Sequence, residues 1–178
     1  MRPRLVELTE ENLIQAPTWD GEPGGCGWCL YWQEPKLGRI RREEGLERKR
    51  AWLQRVRKEW GGCGKLLFVG DKAVGYAQYA PARLLPGAAE YPAGPVSRDA
   101  VLLSCLFISD PERRHRGLGS MLLAAVLEEL TSRGIKAIET FARRGSPENP
   151  SGPVEIYLKH GFHLLRDDPE FPLLRLKP

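Results

Sequence analysis

The sequence predicts a mixed α/β fold on one central sheet, and three observations carry that reading. Residues 100–108 (AVLLSCLFI) form a continuous apolar run, as a strand covered on both faces does. A glycine-punctuated, arginine-rich loop follows, and then a helical pattern over 119–133. Strand-like and helix-like segments succeed one another in the order β-α-α-β-β-β-α-β-α-β-β, which is the rhythm of an α/β domain. At 178 residues, with 42% hydrophobic residues, the chain has the length of one domain with one core and too much apolar content for disorder.

The elements follow in order. Residues 4–8 (RLVEL) read as a strand, after which Thr9 caps a short helix with Glu10 and Glu11 in its first turn. Residues 17–29 are dense in Gly and Pro and read as loop. Residues 39–60 read as a helix, with a break expected at Gly45; Leu53, Val56 and Trp60 recur at helical spacing, and Gly61 and Gly62 end it. Residues 65–69 and 74–79 flank Gly70-Asp71-Lys72 as a hairpin. Residues 81–97 hold four Pro and two Gly and read as a long surface insertion of the kind that serves a site. Gly134 ends the helix over 119–133, and 136–141 is the next strand. Residues 153–160 form a short helix with Pro first and Glu155 in its opening turn. Residues 162–165 and 173–176 close the sheet.

The chemistry concentrates between residues 101 and 130. Gly117 and Gly119 let backbone N–H groups approach a ligand, and those groups stand where a helix begins. Unpaired donors and the positive end of the helix dipole bind phosphate there. Arg113, Arg114 and Arg116 add charge and fork-shaped donors. The spacing fits neither a Walker loop nor the dinucleotide G-x-G-x-x-G, since position 122 is Leu. Read on its own, this is a pyrophosphate cradle at the end of a strand.

Arg114-His115-Arg116-Gly117-Leu118-Gly119 matches R-x-x-G-x-G, and Tyr157-Leu158-Lys159-His160-Gly161-Phe162 matches Y-x-x-x-G-F. With these two motifs in this order, the chain resembles the GNAT (GCN5-related) N-acetyltransferases, most specifically over residues 65–165. The resemblance implies a single GNAT-like domain over 1–178. Its central, mixed, mostly antiparallel twisted sheet is flanked by helices, with 17–60 and 81–97 on the acceptor side. It implies acetyl-CoA as co-substrate and transfer of an acetyl group to a primary amine, a small molecule in this reading. Pyrophosphate contacts then fall on Arg113, Arg114, His115, Arg116, Gly117, Leu118, Gly119 and Ser120. The pantetheine arm pairs with Leu106, Phe107 and Ile108. Tyr157 takes the place of the residue that protonates the departing thiolate. The alternative for Tyr157 is a ring packed in the core.

Direct attack through a tetrahedral intermediate needs donors for the oxyanion and a route for the amine proton. The family often places a Glu where this chain has Ser104. Glu139 on the next strand is the substitute, set against a plain strand carboxylate or a water relay. Asn149, one residue out of step with a family Asn, is a further cofactor contact. Cys105 in its apolar strand reads as a small hydrophobe rather than a nucleophile.

Trp28, Tyr31 and Trp32 supply aromatic walls for an acceptor, or alternatively a cluster that pins the loop. No metal site is assigned. Zinc at Cys26, Cys29 and Cys63 is an alternative that lacks a complete ligand set, and His160 and His163 are not read as a metal pair. The nine Lys/Arg of residues 39–58 read as a solvated helix face. The formal charge of +4 admits an anionic ligand without requiring nucleic acid, and no apolar run spans a bilayer. The expected partners are a CoA thioester and an amine, with neither nucleic acid nor membrane, in the cytoplasm. A homodimer stays open. The competing function is a non-catalytic acyl-CoA sensor on the same fold; a nucleic-acid module on the basic helix is the third.

Overall fold

A computed structural model describes residues 1–145 and 151–178. The strands are β1 (Pro3–Glu7), β2 (Gly64–Val69), β3 (Lys72–Pro81), β4 (Ala100–Ile108), β5 (Ala137–Phe141), β6 (His163–Arg166) and β7 (Leu173–Leu176). They form one sheet in the order β1-β2-β3-β4-β5-β7-β6. The apolar strand is therefore central, as its composition requires. Every pairing is antiparallel except β4 with β5. Among the described residues three α-helices flank the sheet: α1 (Arg42–Glu59), α2 (Leu118–Ser132) and α3 (Val154–Lys159).

Both sheet faces are covered by apolar clusters. One packs Trp52, Leu53 and Val56 of α1 against Leu66, Tyr76, Leu102 and Phe107. The other packs Leu118, Leu122, Leu123, Val126 and Leu130 of α2 against Leu67, Leu103, Leu106 and Ile138. Those four leucines and one valine recur at helical spacing, so one stripe of α2 faces the sheet.

Several elements depart from the sequence reading. The helix expected after Thr9 is a turn closed by Thr9 and Asn12, each backbone N–H donating to the other's side chain. Only a single 3-10 turn follows (Leu13–Gln15), because Pro17 leaves no length for a helix. Gly45 does not break α1; it lies buried in the first turn. Residues 81–97 are no surface appendage. They hold two 3-10 turns (Ala82–Leu84 and Pro86–Glu90) and bury Leu84, Leu85 and Tyr91. The Trp52 indole of α1 donates to the Leu84 carbonyl at 2.8 Å and fastens the segment down. Among the described residues no helix is long and apolar enough to cross a membrane.

Candidate active site

The site begins where β4 and β5 part. They pair only over Ala100–Leu102 and Ala137–Glu139. Beyond that, β5 continues with β7, and the Thr140 hydroxyl donates to the Leu103 carbonyl across the widening gap. On its other side β4 carries an irregularity. Gln78 pairs with Cys105 and Tyr79 with Leu103, so Ser104 is the extra residue of a bulge. The far half of β4 is therefore held by β3 on one side and open on the other, which suits an extended ligand arm.

A cavity of about 670 Å³ starts at this opening. Leu106, Phe107 and Ile108 line it, as do Arg114, His115, Gly117, Gly119 and Ser120 of the following loop. Gly117 stands at the N-cap of α2 with φ +81°, a left-handed conformation that only glycine adopts without strain. The first helical bond runs from Met121 N–H to Gly117 O at 2.9 Å. The amides of Leu118, Gly119 and Ser120 precede it and carry the partial positive charge of the helix end. Arg114 donates to the Ile108 carbonyl at 3.1 Å, which ties the loop to the strand end.

Tyr157 is fully buried on α3, in the apolar cluster on the α2 face and edge-on to Phe162, behind the Gly152 that borders this cavity. Its hydroxyl donates to the Ser151 carbonyl. Gly152 next to it has φ +79°, and a Cβ there would lie 3.1 Å from the Tyr157 hydroxyl and 3.4 Å from the Leu106 carbonyl oxygen. Glycine thus brings the phenol close to the β4 backbone. Burial pushes the Tyr157 phenol above its ordinary pKa, so it carries its proton at neutral pH.

On the α1 face of the sheet lies a second cavity, of about 280 Å³. Seven rings line it: Trp19, Tyr31, Trp32, Tyr76, Tyr91, Phe107 and Phe171. Trp32 and Tyr91 stack 5.1 Å apart, and the Tyr31 and Tyr91 hydroxyls meet at 2.9 Å. Phe107 borders both cavities; Ser151 borders this one and Gly152 the other. The walls of the two spaces therefore adjoin at Phe107 and Ser151–Gly152, where the Ser151 carbonyl accepts from the Tyr157 hydroxyl.

Of the residues the sequence pointed to, the structure gathers Leu106, Phe107, Ile108, Arg114, His115, Gly117, Gly119 and Ser120 around one cavity, and Tyr31 and Trp32 around the other. It does not gather the rest. Arg113 turns back to Asp110 at 2.8 Å. Arg116 lies outside the cavity wall, and Leu118 sends its side chain into the core. Trp28 leaves the aromatic cavity; Arg42 covers its ring at 4.0 Å, and it borders a separate open groove. Asn149 lies outside the described residues.

Glu139 is the main correction. Alternation does turn it away from Ile138, but it borders neither cavity. One carboxylate oxygen accepts from Arg175 at 2.7 Å and the other from the Ser97 N–H at 2.8 Å, and the residue is fully buried. Arg175 also grips Asp99, at 3.0 and 2.7 Å. A carboxylate so engaged, buried and remote from both cavities, sits as a structural counter-ion to Arg175.

The sequence reading missed Lys49 and Tyr91. Lys49 is 2% exposed, and its ammonium donates to the carbonyls of Cys26 and Cys29 at 2.7 and 3.0 Å. Its helical phase was the available signal, since Gly45, Lys49, Trp52, Leu53 and Val56 share the buried stripe of α1. The four cysteines are free, and no metal-binding group of three or more His, Cys, Asp or Glu occurs among the described residues. Burial pushes the thiols of Cys63 and Cys105 up to about 12. They are thiols at neutral pH, poor ligands and poor nucleophiles.

A parallel strand pair that parts along its length and a helix N-terminus with unpaired amides together frame one cleft, beside a second cavity with an aromatic wall. The acetyltransferase (GNAT) family profile matches residues 28–162, and the chain belongs to that family. It is a GNAT-type N-acetyltransferase domain. Solved structures share the fold over nearly the whole chain. The PaiA N-acetyltransferase from Thermoplasma acidophilum, crystallised with coenzyme A, aligns at 15% identity and TM-score 0.60, covering 100% of each chain. The ribosomal-protein-alanine N-acetyltransferase from Brucella melitensis aligns at 18% identity and TM-score 0.61, covering 98% of this chain and 99% of its own. The loading GNATL domain of CurA from Lyngbya majuscula aligns at 14% identity and TM-score 0.58, covering 99% and 98%. No curated protein matches the sequence.

Proposed function

We propose that residues 1–178 form one cytoplasmic N-acetyltransferase domain that moves the acetyl group of acetyl-CoA to a primary amine of a small molecule. The observation that carries this reading is that the walls of the two cavities adjoin at Phe107 and the Ser151–Gly152 backbone, beside the Tyr157 hydroxyl. The first cavity offers amides and Arg114 to a diphosphate, and β4 offers backbone to a pantetheine arm. The second offers a small space with an aromatic wall to an amine. A small pocket favours a small acceptor over a folded protein surface.

In the proposed reaction the amine nitrogen attacks the thioester carbonyl carbon. A C–N bond forms, the tetrahedral intermediate collapses, and the C–S bond breaks. One amine proton passes to solvent water, the departing sulfur takes the Tyr157 phenol proton, and water returns a proton to the phenolate. The products are the acetamide and CoA thiol. Holding both substrates side by side supplies much of the rate, and backbone donors at the β4 opening stabilise the oxyanion. Glu139 has no part in it.

The test is thermal stabilisation by acetyl-CoA, followed by CoA release with a panel of amines. Stabilisation with turnover is the expected result. Stabilisation without turnover of any amine favours the sensor. A folded protein that acetyl-CoA does not stabilise overturns both.

A further inference from the structure

The aromatic cavity has an unusual electrostatic content. Its wall includes Lys49, which comes from α1 and is 2% exposed. Its ammonium donates to two neutral backbone carbonyls, those of Cys26 and Cys29. Dipoles of that kind hold an ammonium in place without cancelling its charge. The same ammonium lies 4.9 Å from the centre of the Tyr76 ring, so it already uses one of the cation-attracting faces the cavity offers. The two carbonyl acceptors take two of its three N–H groups.

A second cation entering this cavity loses its water and meets a like charge at short range in a medium of low polarity. An alkylammonium suffers both penalties. An uncharged ring-bearing amine suffers neither, and it stacks among Trp32, Tyr91 and Phe107. At about 280 Å³ the space sits at the small end of ligand pockets and suits a single ring. An amine that arrives neutral also needs no deprotonation before it attacks, which agrees with a carboxylate on β5 that is committed elsewhere.

We propose that the acceptor is a single-ring amine of the aniline class, uncharged when it binds, and that the buried Lys49 ammonium selects it against alkylammonium competitors. An oxygen acceptor on the ring, carbonyl or carboxylate, would take the remaining Lys49 N–H. This inference rests on the acetyltransferase reading above and narrows its substrate class. Transfer to such an amine follows the balance already given: C–N forms, C–S breaks, and one amine proton is exchanged for one on sulfur.

The experiment compares aniline with benzylamine, one ring each, the first neutral and the second cationic at neutral pH. Acetyl-CoA binding is measured first, by thermal shift on the full chain. Its absence overturns the transferase reading and this inference with it. With acetyl-CoA binding established, calorimetry on the CoA-saturated protein reads the affinity of each amine. Aniline should bind about tenfold or more tightly than benzylamine, and Lys49→Met should shrink that gap by strengthening benzylamine. Equal or tighter benzylamine binding to the wild type, or heatless titrations with both amines, overturns the acceptor class while leaving acetyl-CoA binding intact. Should Lys49→Met fail to fold, the wild-type comparison decides alone.

Discussion

Replacing Glu139 by Gln separates a structural carboxylate from a catalytic one. The side chain keeps its shape and loses its charge. Two donors now face it, Arg175 at 2.7 Å and the Ser97 N–H at 2.8 Å, one to each oxygen. A glutamine amide offers one oxygen, so its NH₂ must stand against one of those donors. The loss includes one hydrogen bond to a charged group, about 1.5–3 kcal/mol, and the burial of an unsatisfied donor, about 1–3 kcal/mol. Arg175 keeps both contacts with Asp99, which holds the total near the low end for a broken buried pair, about 3 kcal/mol. For a chain of this size that lowers Tm by about 6–12 °C. Thermal denaturation measures the shift, and initial rates taken well below the transition measure the activity. The expected result is a lower Tm with kcat within about threefold of the wild type. A hundredfold loss of kcat at unchanged Tm would refute the structural assignment and return Glu139 to the chemistry.

Three further outcomes follow from the same geometry. Tyr157→Phe should lower kcat by about 10²–10⁴ while leaving the Kd for acetyl-CoA within a few-fold, because general acid catalysis and not binding is removed; stopped assays and calorimetry on the same preparation separate the two. Gly152→Ala puts a Cβ 3.1 Å from the Tyr157 hydroxyl at a positive φ, so it should cost about 1–2 kcal/mol in denaturant unfolding and slow turnover as well. The Arg175 guanidinium holds the Asp99 carboxyl below its ordinary pKa. Its contribution to stability is therefore present above the unfolded value of about 3.9 and is lost as pH falls through the lower folded value. The Tm difference between wild type and Asp99→Asn should be full at neutral pH and vanish in strong acid; a difference that persists there contradicts the pairing.

What the sequence could reveal followed from how local each signal is. The apolar run of β4 exists because both sheet faces are covered, and that reads directly from nine consecutive residues. The anion loop is legible because glycine, arginine and a helix start sit side by side. Glu139 is the opposite case. Its direction out of the strand follows from alternation, but its partner Arg175 comes from β7, and the Ser97 N–H from a loop before β4. Those contacts exist only once the sheet is assembled. Trp28 and Trp32 differ for a similar reason. Both are loop aromatics, and only the packing of 17–32 on α1 sends one into the cavity and the other under Arg42. Lys49 hid in a basic run, although its phase on the apolar stripe distinguished it from its neighbours.

The sulfur of the coenzyme marks the reaction centre, and a crystal structure of this protein with CoA locates it directly. The diphosphate is expected on the amides of Leu118, Gly119 and Ser120, the arm along Leu106–Ile108, and the sulfur at the Phe107 and Gly152 seam beside the Tyr157 hydroxyl. A sulfur remote from that seam, with the aromatic cavity out of its reach, would contradict the proposed transfer.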